Sequence, residues 1–279
     1  TLTMSGGWKA VGFSLLMLLS SLSGCLDSDE EEDEKVIDLV VYYESTSGTI
    51  QQSFIGGSQI SLAGVTLNFD FARTTSDFDL ATFSLEPGDG RSPITVNADE
   101  SASIDVEYEL HGLFSVVLTA TDVEENSENM TVIVRIEQHI EWSEQNSAEP
   151  DVMQINTEPD NEGPAPKVLQ IKSTVENIEN LGGIGGSPIT ITWELTDSNA
   201  ESKGMKTEQI ADGQDAIWDF SLNFPERGEH ELSVQLDQST DQERVNVNHV
   251  IDILYEQTES VVNPFPTESG TEDSQTESE

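Results

Sequence analysis

Residues 108–122 read Tyr-Glu-Leu-His-Gly-Leu-Phe-Ser-Val-Val-Leu-Thr-Ala-Thr-Asp, and this stretch decides the fold class. From Phe114 onward, apolar Phe114, Val116, Leu118 and Ala120 fall at every second position, with Ser115, Thr119 and Thr121 among the residues between them. A period of two places one set of side chains on one face of an extended strand, whereas a helix needs recurrence near 3.6. Gly112 allows a tight turn before the strand, and the polar run after Asp122 marks a second turn. Met130 to Ile136 (MTVIVRI) then has the composition of the returning partner strand.

The same grammar extends in both directions. VIDLVVYY (36–43), ITITWEL (189–195), HELSVQL (230–236) and VNVNHVIDI (245–253) are short alternating runs separated by Gly, Asn, Asp, Ser and Pro. No stretch beyond residue 25 sustains a helical period over three turns. The chain is expected to be all-β and built of sandwiches.

Upstream of the opening stretch, Pro87-Gly88-Asp89-Gly90 follows the short strand ATFSLE. Together with Tyr108-x3-Gly112-x-Phe114-x-Val116-x-Leu118-x-Ala120-x-Asp122, this turn resembles the PKD (polycystic-kidney-disease type) domain, an immunoglobulin-like sandwich of prokaryotic surface proteins. The resemblance covers about 70 residues, Phe69 to Ile136. It keeps the Gly-Asp-Gly turn but places Leu85 where the family has Trp and Pro87 where it has Phe. It implies an immunoglobulin-like fold and an adhesion or spacer role. It also implies calcium as a ligand in some members, for which Asp77, Asp79 and Asp89 are the candidates here. The residue-level alternative is that Asp89-Gly90 simply makes a turn.

Residues 138–256 repeat the ending of the first domain. Phe224-x3-Gly228-x-His230-x-Leu232-x-Val234-x-Leu236 has the same corner-to-Gly spacing, and Val245 to Ile253 returns. Ile189, Ile191, Trp193 and Leu195 predict a central strand with a buried Trp. The Gly-Asp-Gly turn is absent and a Gly-rich insertion, 182–186, is present. The expected layout is a signal peptide at 1–24, a tether at 25–37 and a PKD-like sandwich at 38–137. A second immunoglobulin-like sandwich follows at 138–256, then a disordered acidic tail at 257–279. Residues 143–166, polar and punctuated by Pro, read as a linker or as a long first loop of the second sandwich.

The N-terminal region carries an address. Lys9 precedes an apolar run from Val11 to Leu22 of about 12 residues, well short of the ~20 that span a bilayer. Leu22-Ser23-Gly24-Cys25 resembles the lipobox of prokaryotic lipoproteins. The resemblance implies diacylglycerol on the Cys25 thiol and cleavage before it. Two acyl chains suffice for stable anchoring, at about 0.8 kcal/mol per buried methylene. Thr1-Leu2-Thr3 ahead of Met4 reads as a misplaced start or a fragment edge. Seven of the eight residues from Asp27 to Glu34 are acidic, which predicts a self-repelling stalk.

The chain of 279 residues has 54 Asp plus Glu against 11 Lys plus Arg, a formal net charge of −43. Nucleic acid is excluded as a partner, because phosphate recognition needs Lys and Arg. Anionic head groups are equally unsuitable, so membrane attachment falls to the lipid on Cys25. The acidity reads either as a surface for cations or basic partners, or as adaptation to salt of the kind found in archaeal chains, and its even spread favours salt. Cys25 is the only cysteine. Intramolecular disulfides are therefore impossible, and the sandwiches depend on packing.

No sequence pattern for a nucleotide loop, a zinc protease, a nucleophile elbow or a paired-cysteine metal site occurs. The four histidines, at 111, 139, 230 and 249, carry no motif; His230 and His249 are on neighbouring predicted strands and could meet. Asn129-Met130-Thr131 is the single glycosylation sequon. The expectation is a non-enzymatic, cofactor-free lipoprotein at the extracellular face of the membrane, binding a protein or glycan or acting as a spacer. The alternative is an accessory or scaffold subunit of a membrane-associated complex or transporter.

Overall fold

The computed structural model describes residues 36–178, 187–237 and 243–266, all of them strands, turns and loops. The strands, in chain order, begin with β1 (Ile37–Asp38), β2 (Ser47–Ile55), β3 (Ser58–Ala63), β4 (Val65–Asp70) and β5 (Thr75–Ser76). Next come β6 (Leu80–Glu86), β7 (Ile94–Asn97), β8 (Ser103–Tyr108), β9 (Gly112–Asp122), β10 (Ser127–Ser147) and β11 (Met153–Asn156). The remainder are β12 (Val168–Asn177), β13 (Ile189–Thr196), β14 (Ser202–Ile210), β15 (Asp215–Asn223), β16 (Glu229–Asp237) and β17 (Val245–Leu254). The all-β sandwich expectation is met.

One nine-stranded sheet runs through the molecule in the order β15-β12-β17-β10-β9-β6-β7, with β2 also on β10 and β3 outside β2. Its backbone is β10, a single 21-residue strand. Arg135 and Ile136 pair with Leu113 and Gly112 of β9 and also with Ser47 and Gly48 of β2, so those two strands flank opposite edges. Further along, Gln138 to Ser143 lie between β2 and β17. The position 137/138, at which the sequence reading divides the chain, therefore falls inside a continuous strand.

Two cores sit against this sheet. The first holds Phe69, Leu85, Tyr108, Phe114, Val116, Leu118 and the β10 residues Val132, Val134 and Ile136, under β4–β8 and β1–β5. The second holds Trp193, Trp218, Leu169, Ile251 and the β10 residues Ile140 and Trp142, under the sheet β11-β16-β13-β14. All five β10 residues are even-numbered, hence on one face. The cores lie side by side on that face, and Gln138 is the even position between them.

The opening stretch behaves as its pattern dictates. β9 alternates strictly at its apolar positions, with Phe114, Val116, Leu118 and Ala120 fully buried. Tyr108 stacks on Phe114 at 4.6 Å and donates its hydroxyl to the carbonyl of Pro87 at 2.9 Å. That bond fixes the Gly-Asp-Gly turn. Gly88 has φ +78°, and a Cβ there would fall 2.6 Å from the Ser115 carbonyl oxygen. Leu85 fills its position without exposure.

Two hairpins end in the same turn. Asp122 Oδ1 accepts the N–H groups of Glu124 and Asn126, and Asp197 Oδ1 accepts those of Asn199 and Glu201. The residue three places on, Glu125 or Ala200, has φ +67° or +59°. This Asx-type closure is the repeat shared by the two sandwiches.

Several expectations are corrected. VIDLVVYY forms the two-residue β1 and isolated bridges at Tyr42 and Tyr43, because its partners are short segments on different elements. Phe224 is 75% exposed with φ +52°, so it does not repeat the buried corner of Tyr108. Residues 143–166 are no linker: Ser143–Ser147 end β10, while Met153 and Ile155 enter the second core from β11. The tail expected to be disordered from 257 is laid against the first sandwich as far as Pro266. Ser260 bonds to Thr46 and Ile133, and Asn263 pairs with Tyr43.

Candidate functional site

The floor between the two cores is built from β10 and β2, with β3 beside β2. Because β2 runs parallel to β10, Ile50 stands opposite Gln138, Gln52 opposite Ile140 and Phe54 opposite Trp142. Ile50 faces the first core and Phe54 packs against the second, leaving Gln52 beside Gln138 at the junction. Gln138 donates to Gln52 at 2.6 Å, and Gln52 donates to Gln59 on β3 at 2.9 Å. The outcome is an amide relay crossing three strands. Each amide in it is oriented by its neighbour, so Gln138 presents an acceptor and Gln59 a donor.

Walls come from loops of both sandwiches. Leu110 and His111 precede β9, and Gln154, Asn156, Glu158 and Asp160 lie on or after β11. The groove they enclose measures about 420 Å³ and adjoins a second hollow of about 440 Å³, reached past Leu110 and Asp160 and lined by Asp89, Arg91, Glu107 and Leu62. Asn161 closes the join, donating to the carbonyls of Leu113 (2.7 Å) and Gly88 (3.3 Å). His111 is buried beneath. Its Nε2 donates to the Asn156 carbonyl at 3.0 Å, so Nδ1 accepts from the Tyr255 hydroxyl at 2.7 Å, and burial lowers its pKa.

The arrangement offers donors and acceptors at fixed spacing over a partly apolar floor of Phe54 and Ile140. Such a surface has the donors and acceptors to hydrogen-bond several polar groups of one ligand at once above an apolar floor.

Of the residues singled out by sequence, His111 lines the groove and Asp89 the adjoining hollow, and the rest fall elsewhere or outside the described residues. Leu22, Ser23, Gly24 and Cys25, the acidic run 27–34 and the Gly-rich insertion lie outside the described residues. Asp89 is turned inward and held by Arg91, whose Nε donates to it at 2.6 Å and whose pKa is thereby raised. Asp77 and Asp79 are exposed near the start of β6. Among the described residues, no three His, Cys, Asp or Glu side chains are placed to hold a metal ion. Asn129 is exposed and lies within β10, opposite Thr119, rather than before the strand.

His230 and His249 do not meet, because β16 and β17 belong to different sheets. His230 stands 3.4 Å from Thr157 Oγ1, whereas His249 bonds to Ser173 at 2.8 Å. His139 bonds to Asp252 at 2.6 Å.

The relay and the β2–β3 hairpin were missed by sequence reasoning. The available signal was Gly56-Gly57 between alternating runs, where both glycines take positive φ as a two-residue hairpin turn demands.

No family model matches this chain, and neither does any curated protein. Several solved structures align with it over most of its length, at low identity and low TM-score. Carbohydrate-binding modules from the β-sandwich superfamily align over 79% of this chain and 97% of theirs, at 10% identity and TM-score 0.30. Fibronectin(III)-like modules of Clostridium thermocellum CbhA align over 78% and 94%, at 12% identity and TM-score 0.24. A Clostridium perfringens ZmpB structure with CBM51-2, GlcNAc and INT domains aligns over 80% and 49%, at 8% and 0.24. Likeness of this degree carries no argument about ligand. The β-sandwich class rests on the chain's own sheets.

Proposed function

We propose that the chain is a non-catalytic lipoprotein, held at the extracellular face of the membrane by lipid on Cys25, that binds a glycan in the groove between its two sandwiches. The observation that carries the binding part is the pair of oriented amides lining that groove, Gln138 and Gln52, the second of them held in turn by Gln59 on β3. Neutral amides suit sugar hydroxyls better than charged ligands, and the rigid sheet beneath them limits the entropy lost on binding. The acidic run behind Cys25 acts as the stalk that lifts the body off the membrane.

The binding test is titration of the full chain against neutral oligosaccharides, beginning with an array. Gln52→Ala and Gln138→Ala should each weaken the best binder about tenfold or more while leaving the thermal midpoint within a few degrees. Affinity unchanged in both variants overturns the site. The anchor is tested separately by palmitate labelling in cells, which Cys25→Ser should abolish.

A further inference from the structure

We infer that β3 is a self-association edge, along which a second copy of this chain adds antiparallel about a two-fold axis. Strand β3 pairs only with β2 among the described residues, so its outer row of N–H and C=O groups is unpaired. All six of its residues are exposed. Ile60 is 59% exposed, Leu62 39%, and Ile55 at the tip of β2 57%. Sheet edges left free in monomeric proteins are usually guarded by Lys, Pro or an inward charge. None of these guards occurs on β3. A register shift at Ser53/Phe54 twists the hairpin but does not cover its outer edge.

Charge identifies the occupant. From Ser45 to Phe69 there are 25 consecutive residues without a single charged side chain, the longest such run in a chain of net charge −43. Over most of the rest of the described surface Asp and Glu recur every few residues, so contact there would bring carboxylates together. A basic partner would be drawn to the acidic remainder of the surface and would gain nothing from this strip. A second copy meets neutral Ser, Gln and Ile with neutral Ser, Gln and Ile. Among the described strands, an isologous pairing along β3 is therefore the approach that repulsion opposes least. Two β3 strands would join the nine-stranded sheets of both copies into one, and the inference stands independently of what the groove binds.

The test is sedimentation velocity of the full chain, in density-matched detergent, over a concentration series at low and molar NaCl. A monomer–dimer equilibrium is expected, tightening as salt screens the remaining repulsion. Ile60→Glu would set two carboxylates near each other across the axis and should weaken the dimer at least tenfold. Ile60→Thr, neutral and β-branched, should retain it, and Ile217→Glu, at an exposed position on β15, should not affect it. Circular dichroism checks that all three variants fold. A chain that stays monomeric at molar salt overturns the inference, as does a dimer indifferent to Ile60→Glu. A stoichiometric complex with another protein that blocks β3, with no dimer in its absence, would also overturn it.

Discussion

Trp193 and His249 stand on opposite sheets of the second sandwich and share one hydroxyl, that of Ser173. The indole N–H donates to Ser173 Oγ at 2.7 Å, and Ser173 Oγ lies 2.8 Å from His249 Nδ1. An indole can only donate, so the hydroxyl accepts from Trp193, and the direction of its bond to His249 follows the imidazole tautomer. Trp142 stacks on the imidazole at 5.0 Å and completes the enclosure. All three polar groups are satisfied by one another, which is how a core without a disulfide carries them.

Ser173→Ala should be among the most damaging single changes in the second sandwich. It leaves a buried N–H and a buried ring nitrogen without partners, each costing about 1–3 kcal/mol. A fall of about 2–4 kcal/mol in unfolding free energy is expected from denaturant titration. A loss below the cost of one unpaired group would mean that the cavity takes up water.

His249 also sets an acid limit. Burial lowers its pKa from 6.5 to about 3, so the folded imidazole stays neutral where the unfolded one takes a proton. Its contribution to stability is complete above pH 6.5 and declines as pH falls toward 3, by about 1.4 kcal/mol per unit. His111 is shifted in the same direction by burial and adds to the decline. His249→Gln should flatten the stability profile across this window, measured by unfolding at a series of pH values.

The two sandwiches were legible because alternation over β9, β13 and β17 survives as burial almost residue for residue. What joins them was not. Of β10 only Met130 to Ile136 reads as a strand, because Gln138 interrupts an apolar face that one strand shares between two cores. The parallel pairing of β2 with β10 is a long-range contact between residues about 90 apart, with no local signature. The groove depends on that pairing, and so it could not be anticipated from motifs. The order of residues 257–266 was hidden for a different reason: polar composition argues for disorder, but Glu259 finds Arg135, one of few cations in the chain.

Ala200 is misplaced by local chemistry. It occupies φ +59° at the turn closed by Asp197, where a Cβ is disfavoured. Ala200→Gly should stabilise the chain by about 0.5–1 kcal/mol, the αL relief exceeding the added entropy of the unfolded chain. A higher thermal midpoint would confirm the strain, and a lower one would mean that loop contacts dominate.

The C-terminal segment should act as a clasp on the first sandwich. Arg135 donates from Nε and an Nη to the Glu259 carboxylate at 2.9 and 2.8 Å, with Glu137 on its other side. Phe265 packs on Tyr42 at 4.5 Å. Removing residues 257–279 leaves Arg135 with one partner and exposes Tyr43 and Ile133, and the thermal midpoint of the whole chain should fall. Glu259→Gln isolates the ion pair and should cost about 1–2 kcal/mol. The hydrogen bonds of Ser260 and Asn263 should hold the rest of the segment in that variant.

Salt separates the two readings of the acidity. With a net charge of −43, folding gathers like charges, and self-repulsion opposes the compact state. Raising NaCl from about 0.1 M to about 1 M shortens the Debye length from ~10 to ~3 Å. The melting temperature should rise steadily over that range. The Arg135–Glu259 pair is mostly buried and is screened far less than the surface carboxylates, so it offsets little of the gain. A melting temperature indifferent to salt would favour an acidic surface built for a cationic partner. In that case divalent cations, at concentrations too low to change the ionic strength, should stabilise the chain where NaCl does not.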